Sequence, residues 1–258
     1  MKIGVSTASL YPIYTEDALL EVARLGVKNV EIFLNSVTEL EGKIFSSIQN
    51  AVKEYNLNVI SVHPFSSPLE TLFLFSSYDR RVTEIMDLYK RYFEVMNVLN
   101  SGLFVIHGAI SSAKCSDERY VERLSGLVEL GRTMGITVAQ ENVSYCRSSS
   151  VEFLEMLSRE LGDTAKFVLD IKQARRSSLQ PAQLLDRLGN NIVHLHLSDA
   201  DENNDCLPIG AGVFDFVDFF NHLAQIGYCG DAVVELYREN YGEYSVLSDS
   251  VKFLEKML

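Results

Sequence analysis

"IVHLHLSDADENNDCLPIGAG", residues 192–212, sets two histidines one residue apart and follows them with four acids, a proline and two glycines. The chain has only five histidines in all, and two of them stand here. Successive side chains of a β-strand point to opposite faces, so His194 and His196 share one face and Leu195 and Leu197 the other. A strand with imidazoles on one face, opening at its end into an acidic, glycine-containing loop, predicts an inward-facing site. The fold then depends on whether other strands supply partners.

They do so eight times over. Working outward from 192–199, runs of strand character recur as "KIGVSTA" (2–8), "VKNVEIF" (27–33), "NVISVHP" (58–64), "LFVIHGA" (103–109), "ITVAQEN" (136–142), "AKFVLDI" (165–171) and "DAVVELY" (231–237). Between them lie segments with apolar residues at helical spacing, among them 15–26, 77–100, 117–135 and 215–227. Thr15 reads as the N-cap of the first and Gly26 as its stop. No linker or low-complexity stretch interrupts the alternation. Eight βα units in 258 residues predict one (β/α)8 TIM barrel spanning 1–258, whereas a doubly wound sheet usually closes with fewer strands. The apolar stretch "FSSPLETLFLFSS" (65–77) reads either as a lid or pocket wall over the barrel mouth or as a plain extra helix.

Composition narrows the functions. Hydrophobic residues at 47% and charged residues at 22% are those of an ordinary soluble globular protein. A net charge of -12 argues against a phosphate-gripping surface, so no nucleic-acid partner is expected. The N-terminal stretch lacks the pattern of a signal peptide, and no run is apolar for long enough to span a bilayer. Four scattered cysteines without a C-x-x-C pair favour reduced thiols. A cytoplasmic protein without membrane contact is the expectation; whether it is a monomer or a homo-oligomer stays open.

In a barrel of this kind catalytic groups stand at the C-terminal ends of the strands. The polar residues fall there: Glu31, His63, His107, Glu141, Asp170, His196 and Glu235, on strands two to eight. One acid at a strand end is most often a helix cap or a solubilising group. Seven consecutive strand ends call for another reason, and burying so many ionisable groups is costly unless a cation compensates them. Glu141, Asp170, Glu235 and His196 would form a mostly oxygen shell, which suits Mn2+ best, with Mg2+, Co2+ or Zn2+ as alternatives.

At "QENV" (140–143), "LDIKQA" (169–174), "HLHLSD" (194–199), "LPIGAGVFDF" (207–216) and "VVELY" (233–237) the chain resembles the xylose isomerase-like TIM-barrel superfamily. Within it, the sugar phosphate isomerase/epimerase branch is the nearer likeness, and the endonuclease IV group is related. The resemblance covers essentially the whole chain. It implies one divalent metal ion held by Glu141, Asp170, His196 and Glu235, with the two glutamates as the acid/base pair. The departures are specific. Gln173 stands where the family commonly has a histidine, and Asn204 and Cys206 stand where the nuclease branch has an Asp-x-His. Ala211 replaces an acid often found between the two glycines. The nuclease metal cluster is therefore incomplete, which reassigns His63 and His107 to contact with substrate hydroxyls or to support of the metal ligands.

The remaining candidates for binding a sugar or sugar phosphate are Lys172, Gln173, Arg175 and Tyr237, with Arg176 in the same basic run and Arg238 beside Tyr237; for the basic run, a solvated loop is the bland alternative. Phe33, Phe65 and Tyr237 could wall a sugar ring or simply be core. His194, deeper than His196, reads as a hydrogen-bonded core histidine rather than a ligand. The expected activity is carbohydrate isomerase or epimerase chemistry by proton transfer through an enediolate, the metal polarising the carbonyl. Three alternatives compete: an inosose dehydratase-type lyase on the same residues, an endonuclease IV-like phosphodiesterase, and a sugar-binding barrel without turnover.

Overall fold

A computed structural model describes residues 1–258. The strands are β1 (Ile3–Ser6), β2 (Asn29–Leu34), β3 (Asn58–Pro64), β4 (Leu103–Ile106), β5 (Thr137–Glu141), β6 (Phe167–Asp170), β7 (Ile192–Leu197) and β8 (Asp231–Val234). They close in sequence order, all neighbours parallel, with β8 returning to β1. The helices are α1 (Thr15–Arg24), α2 (Gly42–Glu54), α3 (Ser67–Glu70), α4 (Asp79–Leu99), α5 (Asp117–Thr133), α6 (Val151–Leu161), α7 (Ile171–Arg176), α8 (Pro181–Leu188), α9 (Phe216–Gln225) and α10 (Ser245–Glu255). The chain is a single (β/α)8 TIM barrel, as its alternation predicts.

Local chemistry sets the helix limits. In α4 the buried residues Ile85, Tyr89, Tyr92, Phe93, Met96 and Leu99 recur at three- and four-residue steps, one stripe turned to the barrel. The helix stops at Asn100, whose left-handed φ of 60° no helix can continue. Ser116 and Ser150 cap α5 and α6 by accepting from Arg119 N and Phe153 N. Thr15 does not cap α1, contrary to the sequence reading. It is already the first helical residue, and its hydroxyl is drawn to Glu39 Oε1 at 3.1 Å.

The core is divided unequally. Sixty buried hydrophobic residues form one continuous cluster, among them the fully buried Tyr89, Phe93 and Phe104 of α4 and β4. Burying each large side chain of this kind stabilises the fold by about 1.5–3 kcal/mol. A second cluster has only Val105, Ala139 and Val168, from β4, β5 and β6. Inside the barrel, polar side chains take most of the remaining room.

Two irregularities aim those side chains. Between β2 and β3 the register slips after Val30, so Ile60 is extra and Ser61 lies opposite Glu31. Between β6 and β7 it slips after Phe167, so Val193 is extra and His194 lies opposite Val168, His196 opposite Asp170. A bulge of this sort re-aims every side chain beyond it. The alternation expected from His194 to Leu197 lies beyond this slip and holds, with Leu195 and Leu197 in the hydrophobic cluster.

Segment 65–77 is a packed wall. Its Glu70, Leu74 and Phe75 are buried, Glu70 accepts from Gly108 N, and Thr71 Oγ1 accepts from Ile110 N at 2.9 Å. The plain-helix alternative holds only for the single turn of α3.

Candidate metal centre and active site

His196 is the hub of the mouth. Its Nδ1 faces Glu235 Oε2 at 3.0 Å, Glu141 Oε1 at 3.8 Å and Asp170 Oδ2 at 4.0 Å, while its Nε2 lies 3.2 Å from Glu31 Oε2. Glu141, Asp170 and His196 each bring one donor atom within 4.8 Å of the others, and all three are buried. Glu235 lies outside that group. It follows β8 rather than ending it, its side chain is 18% exposed, and it stands 3.8 Å from the Lys172 ammonium.

Sequence neighbours hold these groups. Asp170 both ends β6 and caps α7, its Oδ1 accepting from Gln173 N at 2.9 Å, and Asn142 clamps its backbone. The other carboxylate oxygen, Asp170 Oδ2, and His196 Nδ1 are buried without a well-aligned hydrogen bond, their nearest charged neighbours being Lys172 at 3.4 Å and Glu235 at 3.0 Å. These two atoms lie 4.0 Å apart among carboxylates, and the donor set of carboxylates plus one imidazole fits a divalent cation.

The electrostatics agree with a site short of positive charge. Burial pushes Asp170 up to about 7; the Lys172 ammonium, 3.4 Å away, opposes this, and the Glu141 and Glu235 charges reinforce it. Burial also pushes Glu235 up, but Lys172 and His196 outweigh it and hold the carboxyl at about 2. His196 is lowered by burial and raised more by Glu31 and Glu235, ending well above the ordinary imidazole range.

A second trio shares Glu141. His63 Nε2 and His107 Nε2 lie 2.9 Å apart, at 3.6 and 3.1 Å from Glu141 Oε2. His63 Nδ1 lies 3.1 Å from the Pro64 carbonyl, which only a protonated nitrogen can engage, so Nε2 is the nitrogen turned to the site. Phe33 stacks on His63 with ring centroids 4.8 Å apart, and the Tyr145 hydroxyl meets His107 Nδ1 at 3.2 Å.

The remaining candidates divide. Lys172 is buried over the face of Tyr237. Gln173 accepts from Ser144 N, tying the loops after β5 and β6 together. Arg175 donates to the carbonyls of Asp201 and Asn204 and pairs with Asp205, and Arg176 pairs with Asp205 and donates to the Tyr237 hydroxyl. Both guanidinium groups staple the loop after β7. Arg238 donates to the carbonyls of Tyr241 and Gly242. The same loop is organised by Asp199, whose carboxylate accepts from Ala200, Gly210, Gly212 and Phe214 N.

Sequence reasoning gave Glu31 no role beyond its strand end, and it passed over Ser61, Glu70 and Tyr145. Ser61 shares a strand face with His63, and Glu70 is the lone acid of an apolar segment; those were the available signals. His194 is a hydrogen-bonded core histidine as read, with Ser61 Oγ at 3.2 Å and Glu31 Oε2 at 3.4 Å.

An eight-stranded barrel with carboxylates and imidazoles converging at the strand C-termini defines a class of barrel built around a polar, metal-competent mouth. Residues 19–257 match the family model described as xylose isomerase-like TIM barrel, and the chain belongs to that family. An uncharacterized protein of Mycobacterium leprae is 24% identical, the alignment covering 100% of this chain and 98% of that one. Fructoselysine 3-epimerase of Shigella flexneri is 23% identical over 92% of this chain and 90% of its own. Among solved structures, a D-tagatose 3-epimerase-like protein superposes with a TM-score of 0.80 at 22% identity, covering 100% of this chain and 97% of that one.

Proposed function

We propose that this protein is a carbohydrate epimerase or isomerase whose divalent ion is held by His196 Nδ1, Asp170 Oδ2, Glu141 and Glu235. The observation that carries this reading is the convergence of Glu141, Asp170 and His196, three buried residues whose donor atoms lie within 4.8 Å of one another. When bound, the ion supplies the Lewis acidity that makes the hydrogen beside a sugar carbonyl acidic. Mn2+ is the ion this oxygen-rich set suits best.

Glu141 at the end of β5 and Glu235 just after β8 flank His196, so a sugar over the mouth meets a carboxylate on each side. One removes the proton from carbon and the other returns it, to the opposite face for epimerisation or to the next carbon for isomerisation. His63 and His107 stand beside Glu141, where they can donate to sugar hydroxyls. Lys172, Gln173 and Tyr237 stand on the β6–β8 side, with the Lys172 ammonium over the Tyr237 ring, where they can meet the polar groups of a sugar. The fructoselysine 3-epimerase and D-tagatose 3-epimerase-like relatives support a ketose substrate. A dehydratase acting on an inosose would use the same carboxylates. The phosphodiesterase reading is weaker, since Asn204 spends its carboxamide on Asp201 and Cys206 its thiol on the Glu235 carbonyl.

The test is a panel of ketoses, aldoses, inososes and their phosphates, incubated with Mn2+-loaded protein in D2O and followed by NMR. Deuterium entering a carbon next to the carbonyl, with turnover abolished by chelation and restored by Mn2+, is the expected result. Elemental analysis should find about one ion per chain. Chelator-insensitive turnover would remove the metal from the reading.

A further inference from the structure

The hydrogen bonds beneath His196 have a forced direction. Ser61 Oγ donates to Glu31 Oε2 at 2.7 Å. A hydroxyl has one proton, so the 3.2 Å contact between Ser61 Oγ and His194 Nε2 must be donated by His194. Glu31 Oε2, an acceptor only when ionised, then receives His196 Nε2 at 3.2 Å. The chain reads His194 Nε2–H to Ser61, Ser61 O–H to Glu31, His196 Nε2–H to Glu31. Every member is buried: Glu31, Ser61 and His194 at 0% exposure and His196 at 1%. The chain also depends on the two bulges, because the slip at Ile60 sets Ser61 opposite Glu31 and the slip at Val193 turns His194 and His196 inward.

We propose that Glu31, braced by Ser61 and His194, is a positioning residue that keeps the His196 proton on Nε2 and thereby presents the Nδ1 lone pair to a divalent cation. The inference rests on the metal reading of the site. Both nitrogens of His196 face carboxylates, Nδ1 at 3.0 Å from Glu235 and Nε2 at 3.2 Å from Glu31; a cation that takes Nδ1 together with Glu235 leaves the single proton of a neutral imidazole on Nε2, where the buried Glu31 accepts it. Without Glu31, either nitrogen could carry the proton, and the ring would be free to rotate about its side-chain bonds. A part of the metal-binding free energy would then go into selecting the tautomer and rotamer.

The test uses three proteins, native, Glu31→Leu and Ser61→Ala, with Mn2+ alone as titrant in calorimetry. Glu31→Leu keeps an apolar volume in a sealed layer and removes the acceptor; it should weaken Mn2+ binding by about 10- to 100-fold. Ser61→Ala, which removes only a brace, should weaken it less. Long-range 15N correlation spectra of the native protein loaded with diamagnetic Zn2+ should show the His196 proton on Nε2 and a metal-shifted Nδ1, a signature that loss of packing alone does not produce. If Glu31→Leu does not fold, this spectrum and the Ser61→Ala titration still decide the matter. A proton on Nδ1 in the loaded native protein overturns the proposal, and so does a folded Glu31→Leu variant that binds Mn2+ within a factor of two of native. No Mn2+ binding by the native protein overturns the metal reading together with the proposal, whereas binding that is indifferent to Glu31 overturns the positioning role alone.

Discussion

The two ends of this barrel differ in kind. At the C-terminal mouth, Glu31, His63, Glu141, Asp170, His196 and Lys172 are all buried, so the fold bears a large desolvation cost there. At the N-terminal floor lies a cavity of about 630 Å3, lined by Ile60, Leu103, Val193, His194 and Gly230, with Lys166 and Asp231 as its charges. Floor charges are spent on structure: Asp231 Oδ1 accepts from Lys2 N, and Lys166 reaches Asn191 at 3.5 Å. The contrast teaches that volume and chemistry are separable. Convergence of groups that cannot satisfy one another marks a site better than empty space does.

The sharpest way to break the comparison is to remove one carboxylate from the mouth. Glu141→Gln or Glu235→Gln keeps an oxygen donor and loses the base, so turnover of the responding sugar should fall by about 10²- to 10⁴-fold, with weaker Mn2+ binding. Steady-state kinetics at saturating Mn2+ checks this. Near-native rates in both variants would remove the acid/base roles.

A smaller but still large effect is expected in the loop after β7. A Cβ on Gly212 would overlap the Ala200 carbonyl and the Asp199 carboxylate, so Gly212→Ala should cost about 1–3 kcal/mol in denaturant unfolding. An unchanged midpoint would mean that Asp199 does not hold the loop in this geometry.

The wall segment offers a pH signature. Burial lifts the Glu70 carboxyl from its ordinary 4.5 to about 8, against the lowering effect of Gly108 N. Between those values the folded chain keeps a proton that the unfolded chain has released, so this residue's contribution is fully present below pH 4.5 and is lost as pH rises through 8. Glu70→Gln should therefore lose less stability than native on going from pH 5 to pH 8. Parallel pH profiles of native and variant would exclude the effect.

The smallest change is expected at the floor. Lys166→Ala should leave turnover within a factor of about two, since Lys166 reaches only Asn191 and stands at the barrel end away from the catalytic face. A loss comparable to that of Glu141→Gln would abolish the distinction between the ends.

Much of this was legible in residue order alone. The period of two in eight runs and of three to four between them specifies a barrel, because each period can bury only one kind of face. Glu141, Asp170 and His196 were readable as a convergent trio, since strand parity and the common polarity of a parallel barrel put strand ends on one rim. What only the tertiary structure decided depends on closure. Glu31 meets His196 across 165 residues of chain, and the bulges at Ile60 and Val193 that align Ser61 and His194 are set by neighbouring strands rather than by their own sequence. Arg175 and Arg176 likewise could not be placed from a basic run, because the carbonyls and the carboxylate that capture them lie some thirty residues away, on a loop shaped by Asp199. Local periodicity determines which face a side chain takes; hydrogen-bond partners are chosen by the packing of elements distant in sequence, and in this barrel that choice turns one nitrogen of His196 toward Glu31 and the other toward the mouth.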